Sequence, residues 1–190
     1  MRLLEYYGAN IAGIQNHTKV IHLMKNARTL CLILPIAIAG QAFAEKQPRD
    51  IIQANYDKIS QLSMTREKSR LEKLTRKNAS SCFIYIDSMR NSLDLNATIA
   101  QNNDQLGRIY KFNSNSNKII GVKEVGPDLR LTIKTNYDVH LDESGKNRVK
   151  GTTISQDTWI KTLKGWKIRE SKILKESSSQ NGKPINQISN

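Results

Sequence analysis

The feature that most constrains the fold is an alternation of side-chain polarity over residues 129–141. Even positions are polar or charged, and the odd positions are Leu129, Leu131, Ile133, Thr135, Tyr137, Val139 and Leu141. Such a pattern is typical of a β-strand with one buried and one solvated face. Turn residues at 142–146 and at Lys164 and Gly165 lead into two more strand-like runs, the last ending near residue 175. The pattern therefore predicts a long antiparallel meander.

The second run, residues 147–163, changes its apolar phase. Val149 and Gly151 continue the odd pattern, Ile154 breaks it, and Trp159 restores it. A β-bulge within residues 151–156 would explain the change. In the third run, the apolar phase changes again after Ile168, which indicates a second irregularity. Because bulges bend strands, we expect a strongly curved sheet.

The N-terminus has the pattern of a secretory leader. Residues 24–28 form a short segment with two basic residues, Lys25 and Arg28, residues 29–40 form an apolar segment, and Ala42, Phe43 and Ala44 form an A-x-A cleavage site. This apolar run is shorter than the roughly 20 residues that span a bilayer, which argues against the alternative of a membrane anchor. We predict a signal peptide from Met24 to Ala44, with translation starting at Met24, and a periplasmic or extracellular protein.

The remaining chain is long enough for one domain. We predict a leader at residues 1–44, a single domain at residues 45–176, and a disordered tail at residues 177–190, where the sequence is polar.

The chain is strongly basic, with 30 Lys and Arg against 17 Asp and Glu and a net charge of +13. Its cations are spread out, and no DNA-binding motif is present, which argues against specific nucleic-acid recognition. A weak attraction to an anionic membrane surface is the better interpretation. No phosphate loop, CxxC motif or histidine cluster is present, so we predict no cofactor and no metal. Cys82 is interpreted as a small buried residue, with an intermolecular disulfide or a reactive thiol as alternatives.

Apolar residues in the first part of the mature chain have helical spacing. Ile52, Tyr56, Ile59 and Leu62 predict an amphipathic helix over residues 50–63, followed by a basic second helix over residues 65–77. The remaining predicted elements are a strand at 83–87, a helix at 94–106, a loop at 111–117 and a strand at 118–125. The fold class is therefore α+β, with N-terminal helices packed in the concave face of a curved antiparallel sheet.

Two short motifs support a resemblance to a known family. Phe83, Tyr85, Asp87 and Ser88 form an FxYxDS-like strand, and residues 158–168 form a TWIK…GWKI hairpin. With the order of elements, these motifs resemble the nuclear-transport-factor-2-like superfamily, and within it the SnoaL-like branch of small exported bacterial proteins. The resemblance spans residues 49–175. It implies a cystatin-like cone with an apolar pocket at its wide end, often in a homodimer.

Aromatic side chains with a polar tip suit such a pocket, because they are apolar yet can orient a ligand. The alternative is that they belong to the core. The candidates for the ligand pocket are Tyr56, Tyr85, Ile133, Tyr137, Trp159 and Trp166.

Some enzymes of the superfamily, the ketosteroid isomerase and polyketide cyclase types, use a buried Asp as a base, with a raised pKa. Most acids of the predicted sheet fall in turns or on its polar face, and Asp87 and Asp157 are the best candidates, both weak. We therefore predict a non-catalytic binding module for a small apolar ligand or a protein partner. A small isomerase or cyclase, or a component of an envelope-spanning assembly, is the alternative.

Overall fold

A computed structural model describes residues 47–189, which form three helices and seven strands. The elements are α1 (Pro48–Met64), α2 (Lys68–Asn78), β1 (Ala79–Ile86), β2 (Ser92–Asp94), α3 (Leu95–Arg108), β3 (Lys111–Val125), β4 (Asp128–His140), β5 (Arg148–Thr162), β6 (Gly165–Gln180) and β7 (Lys183–Ser189). The predicted signal peptide and the start at Met24 lie outside the described residues. Within residues 47–189, no helix has the length and apolarity needed to span a membrane.

The strands form one curved, unclosed sheet in the order β2-β1-β6-β5-β4-β3, and β7 also pairs with β6. All pairs are antiparallel except the parallel pair of β1 and β6. Helices before and beside a curved, mainly antiparallel sheet confirm the predicted α+β class.

Helix α1 covers one face of the sheet, which we call the inner face. The apolar stripe of α1 contributes Ile52 and Tyr56 to a buried cluster with Leu131, Ile133 and Trp159 from the sheet. Ile52 and Leu131 are completely buried, and burial of such a side chain contributes about 1.5–3 kcal/mol. The alternation in β4 thus determines which face α1 covers.

The bulges lie on a different strand from the one predicted. β5 pairs with β4 without interruption from Trp159 to Arg148, so the predicted bulge at 151–156 is wrong. Where β5 pairs with β6, the extra residues are on β6: Arg169 lies between the partners of Trp159 and Thr158, and Leu174 between those of Ser155 and Ile154. The irregularity predicted after Ile168 is therefore confirmed. The apolar pattern of β5 is interrupted for another reason: the residues that follow Trp159 on the inner face, going back toward the start of the strand, are polar.

Two stretches predicted to lack regular structure are strands. Residues 111–117 form the first half of β3, and the tail forms the end of β6 and all of β7 as far as Ser189. Backbone pairing does not require apolar side chains, so Asn and Ser residues join the ladder. Asn181 and Gly182, with φ of 53° and 81°, form the turn between β6 and β7. This Asn-Gly pair is a strong hairpin signal, and the prediction overlooked it.

Candidate functional site

The inner face changes from apolar to polar along β5. Trp159 lies opposite Leu129 in the apolar half, and Asp157 lies opposite Leu131. Ser155 and Thr153 then follow on the same face, because alternate residues of a strand share a face. The structure thus places a carboxyl group at the boundary between the buried core and a polar region.

Asp157 is enclosed by a hydrogen-bonded network. Its carboxylate accepts hydrogen bonds from the phenol of Tyr56 and from Ser171 Oγ, the latter at 2.7 Å. Trp159 Nε1 donates to the Tyr56 oxygen at 3.2 Å, and the two aromatic rings meet edge to face. Asp157 is 3% exposed, Tyr56 7% and Trp159 2%. Asp157 and Tyr56 therefore lie in a nearly water-free environment.

This environment alters the proton affinity of both groups. Burial raises the pKa of the Asp157 carboxyl, against the opposing effect of hydrogen bonds from Tyr56 and Ser171. Burial, followed by the charge of Asp157, raises the pKa of the Tyr56 phenol well above its ordinary value. A low-dielectric site disfavours the charged form of each group. The arrangement can hold a proton on the carboxyl group at a pH where a solvated Asp is ionised.

A second set of titratable groups continues from Asp157 along the inner face. Tyr85 lies on β1 beside Ser171, and Glu176 lies on β6 opposite Thr153. Burial raises the pKa of Tyr85 to about 12, helped by the negative charges of Glu176, Asp87 and Asp157. Unlike Asp157, Tyr85 and Glu176 are only half-buried. They provide a partly accessible polar surface next to the buried carboxyl.

Tyr137 closes the far end of this polar surface. Burial raises the pKa of its phenol, the charge of Glu176 adds to this, and a hydrogen bond with Ser178 opposes it. Its ring lies over Gly151, where an added Cβ would come within 2.3 Å of the ring. Glycine at 151 is required for this close approach of the ring to the backbone.

Four of the predicted pocket residues belong to the core or pack against it, and two are half-buried. Tyr56, Ile133 and Trp159 belong to the buried cluster, and Trp166 packs against it. Tyr85 and Tyr137 are half-buried on the same face. The interpretation as core therefore holds for the first four, and an apolar ligand pocket stays a prediction.

Two cavities lie away from these residues. One of about 370 Å³ lies between α1 and β3, and its lining is Asp57, Ser60, Gln61, Met64, Thr65, Asn115, Ser116, Asn117 and Lys118. The other, of about 490 Å³, is lined by Ser114, Asn136, Tyr137, Asp138, Lys150, Gly151, Thr152, Ser177, Ser178, Ser179 and Pro184. Among the predicted pocket residues, only Tyr137 lines either of these two cavities.

The other candidates from the sequence have simple structural roles or stay exposed. Asp87 lies in the turn after β1, where it accepts hydrogen bonds from the backbone amides of Met89 and Asn91 and from the Asn91 side chain. Cys82 is exposed, so the interpretation as a buried residue is wrong. Within residues 47–189, no group of three or more His, Cys, Asp or Glu residues could hold a metal ion.

Sequence reasoning named Tyr56, Asp157 and Trp159 but did not name Ser171 and Glu176 as site residues. Ser171 reaches the inner face because Arg169 is an extra residue in β6 that shifts the strand's alternation, and the second extra residue, Leu174, shifts it back, so that Glu176 lies on the same face as Ile168. The odd-numbered residues of β5 from Val149 to Trp159 share one face without interruption, and this parity could have placed Asp157 on the inner face.

No family model matches the sequence, and no curated protein matches it either. Solved structures do resemble it. A nuclear-transport-factor-2-like protein from Cytophaga hutchinsonii is 11% identical over 67% of this chain and 97% of its own, with a TM-score of 0.51. A hexachlorocyclohexane dehydrochlorinase, LinA-type3 from Novosphingobium barchaimii, is 12% identical over 75% and 92%, with a TM-score of 0.54.

A scytalone-dehydratase-like protein from Novosphingobium aromaticivorans is 10% identical over 73% of this chain and 89% of its own, with a TM-score of 0.56. At such identities the likeness establishes the architecture and leaves activity open. Together with the helix-covered curved sheet, these matches show that the chain has the nuclear-transport-factor-2-like fold.

Proposed function

We propose that this protein is a small proton-transfer enzyme, of the lyase or isomerase kind, and that Asp157 is its general base. The observation that carries the proposal is the buried Asp157 carboxyl, held by Tyr56 on the inner face of the sheet. Removing a proton from carbon requires a base whose pKa is raised toward the working pH. Burial moves the pKa of Asp157 in that direction.

The proposed reaction begins with transfer of a proton from a substrate carbon to an Asp157 oxygen. In a lyase, the electron pair of that C–H bond forms a double bond as a leaving group departs from the neighbouring carbon. In an isomerase, the proton returns to a different carbon. Both reactions need one base that takes up a proton and later releases it, and neither needs a second carboxylate at the reacting carbon.

Tyr56 acts as a positioning residue in this scheme. Its phenol holds one oxygen of Asp157, and Trp159 Nε1 in turn fixes the phenol. The hydroxyl of Ser171 holds the other carboxylate oxygen at 2.7 Å. The substrate would reach the Asp157 carboxylate from the side of Tyr85 and Ser171, which are half-buried, whereas Tyr56 and Trp159 are buried.

Two of the solved structures with this fold support the choice of reaction class. One is a dehydrochlorinase and another is a scytalone-dehydratase-like protein. Loss of HCl and loss of water are both eliminations that begin with removal of a proton. The shared fold makes this class of reaction the first to test, and the identity of the substrate is a separate question.

The experiment uses the full chain and three probes: hexachlorocyclohexane, scytalone and a small ketone incubated in D2O. Chloride release, water loss and deuterium incorporation report proton removal from each. We expect turnover with at least one probe and a decrease of about 10²–10⁴-fold in Asp157→Asn. Asp87→Asn is the matched control, because Asp87 lies in an exposed turn, and it should keep full activity. Absence of turnover with all probes, or equal rates in the Asp157→Asn variant, would reject the enzyme.

A second candidate, a non-catalytic binding module, is favoured by a different observation. The Asp157 carboxylate is engaged by Tyr56, Ser171 and Ser155, which is also how a purely structural buried acid is satisfied. Both cavities noted above lie elsewhere. If this candidate is correct, the exported protein binds a small apolar ligand or a protein partner, as a monomer or a homodimer. Its positive charge would also attract it weakly to anionic membranes.

The same two variants separate the candidates. If the protein is a binding module, both retain ligand binding and neither shows turnover. Export is tested independently by sequencing the N-terminus of the secreted protein, which we expect to begin just after Ala44. A secreted protein that begins at any other place would contradict the predicted cleavage.

A further inference from the structure

Side chains of α1 occupy part of the open edge of β3. Gln53 Nε2 donates to the carbonyl of Asn117 at 2.8 Å, and the Ile119 amide donates to Gln53 Oε1 at 2.9 Å. These are the two bonds that one residue of a parallel neighbouring strand would make to residues 117 and 119. The Gln53 amide therefore replaces one residue of an added strand.

This geometry fixes the direction of the neighbouring backbone groups. β3 pairs with β4 without a register shift from Ser114 to Ile119, so alternate residues in this stretch point their N–H and C=O groups to the same side. Because Asn117 and Ile119 point theirs away from β4, Asn115 does so as well. The outward groups of Asn115 and the amide of Asn117 face the space beside α1.

That space is the 370 Å³ cavity, which is a groove between the second half of α1 and residues 115–118. Asn117 braces one wall, because its side chain bonds Ser60 on α1 and Thr135 on β4. Met64 lines the groove and is 43% exposed, which offers one apolar contact. An edge strand with outward backbone groups beside a groove is the geometry of peptide recognition by strand addition.

The charges around the groove favour an acidic peptide. Lys118 lines it, and Lys58 reaches its rim through a bond to Gln61. The carboxylate of Asp57 also lines the groove, and Gln53 already donates to it. A second copy of this chain would bring the same cations to the edge, so repulsion disfavours pairing of two β3 edges.

We propose that the edge of β3 at residues 115–117, with the groove beside it, binds an extended acidic segment of a protein partner by strand addition. The backbone of the segment bonds Asn115 and Asn117, its acidic side chains lie near Lys118 and Lys58, and one apolar side chain contacts Met64. This site is separate from the inner-face carboxyl, so either proposal can fail without the other.

The probe is a fluorescein-labelled peptide of alternating Glu and Val, seven residues long, measured by fluorescence anisotropy with the full chain. Asn115→Pro removes an outward N–H while the strand keeps its bonds to β4, so the fold should remain. Loss of one backbone hydrogen bond should weaken the affinity by about two- to tenfold. Binding should also protect the amides of Asn115 and Asn117 from hydrogen exchange.

Charge reversal provides the matched comparison. Lys118→Glu should weaken binding, whereas Lys183→Glu, which makes the same charge change on the exposed start of β7, should leave it intact. A peptide of alternating Lys and Val, and one with a methylated backbone, should not bind. Equal losses in the two charge variants, no binding, or protection elsewhere would overturn the proposal. Self-association of the free chain through Asn115 would overturn the choice of occupant.

Discussion

Replacement of Tyr56 by Phe removes one oxygen from the centre of the inner-face network and leaves the packed ring in place. That oxygen donates to the Asp157 carboxylate and accepts from Trp159 Nε1 at 3.2 Å. All three side chains are buried, so water cannot replace either bond. The variant therefore tests whether the network stabilises the fold as well as the carboxylate.

The expected cost follows from these two bonds. Loss of a hydrogen bond to a charged carboxylate costs about 1.5–3 kcal/mol, and an unsatisfied buried N–H of Trp159 costs about 1–3 kcal/mol. We expect Tyr56→Phe to lower the free energy of unfolding by roughly 3–5 kcal/mol at pH 7. At a pH low enough to protonate Asp157, the bond is no longer charge-assisted, so the cost should be smaller by about 1 kcal/mol.

Urea unfolding followed by tryptophan fluorescence at both pH values measures the cost. Tyr85→Phe is the control, because Tyr85 lies on the same face and its phenol has no hydrogen-bond partner among the described residues; it should cost less than about 1 kcal/mol. If Tyr56→Phe costs no more than Tyr85→Phe, or shows no pH dependence, the network does not have the strength inferred here.

Three further results are expected. Since burial raises the pKa of folded Asp157, the folded state binds its proton more tightly, so wild-type stability should fall as the pH rises from about 3.9 through that raised pKa; Asp157→Asn should lack this fall in urea titrations. Gly151→Ala should cost about 1–3 kcal/mol because its Cβ meets the Tyr137 ring, and a Tyr137→Ala background should remove most of that cost in thermal unfolding. The Arg148 guanidinium holds the pKa of Asp138 below its usual range, so Arg148→Met should raise that pKa in an NMR titration. The stability lost in this variant should be small and should disappear as the pH falls through the lowered pKa; an unchanged Asp138 pKa would contradict the ion pair.

The architecture could be predicted from the sequence because its strongest signals are periodic. The alternation in β4 and the apolar stripe of Ile52 and Tyr56 each determine a buried face, and together they place α1 on the sheet. Residues 111–117 and the tail were missed because Asn and Ser side chains carry no apolar signal, although their backbones pair like any others.

The candidate site could be predicted only in part, for a related reason. Asp157 was named, but its face was uncertain, because Ser155 and Thr153 break the apolar pattern while keeping the parity of β5. A polar residue on a buried face interrupts the apolar pattern in the same way as a bulge, so the spacing of apolar residues alone does not distinguish the two. Ser171 depends on the bulge at Arg169, and the register between two strands settles its position.

The central claim is that Asp157 is a buried carboxyl whose proton affinity is raised for chemistry. Carbon-13 NMR of the aspartate carboxyl carbons, assigned with Asp157→Asn, measures its titration directly. We predict a midpoint above the ordinary value of about 3.9, and a further rise in Tyr56→Phe, because the phenol stabilises the ionised form. A midpoint at or below that value, unchanged in the Tyr56 variant, would contradict the account.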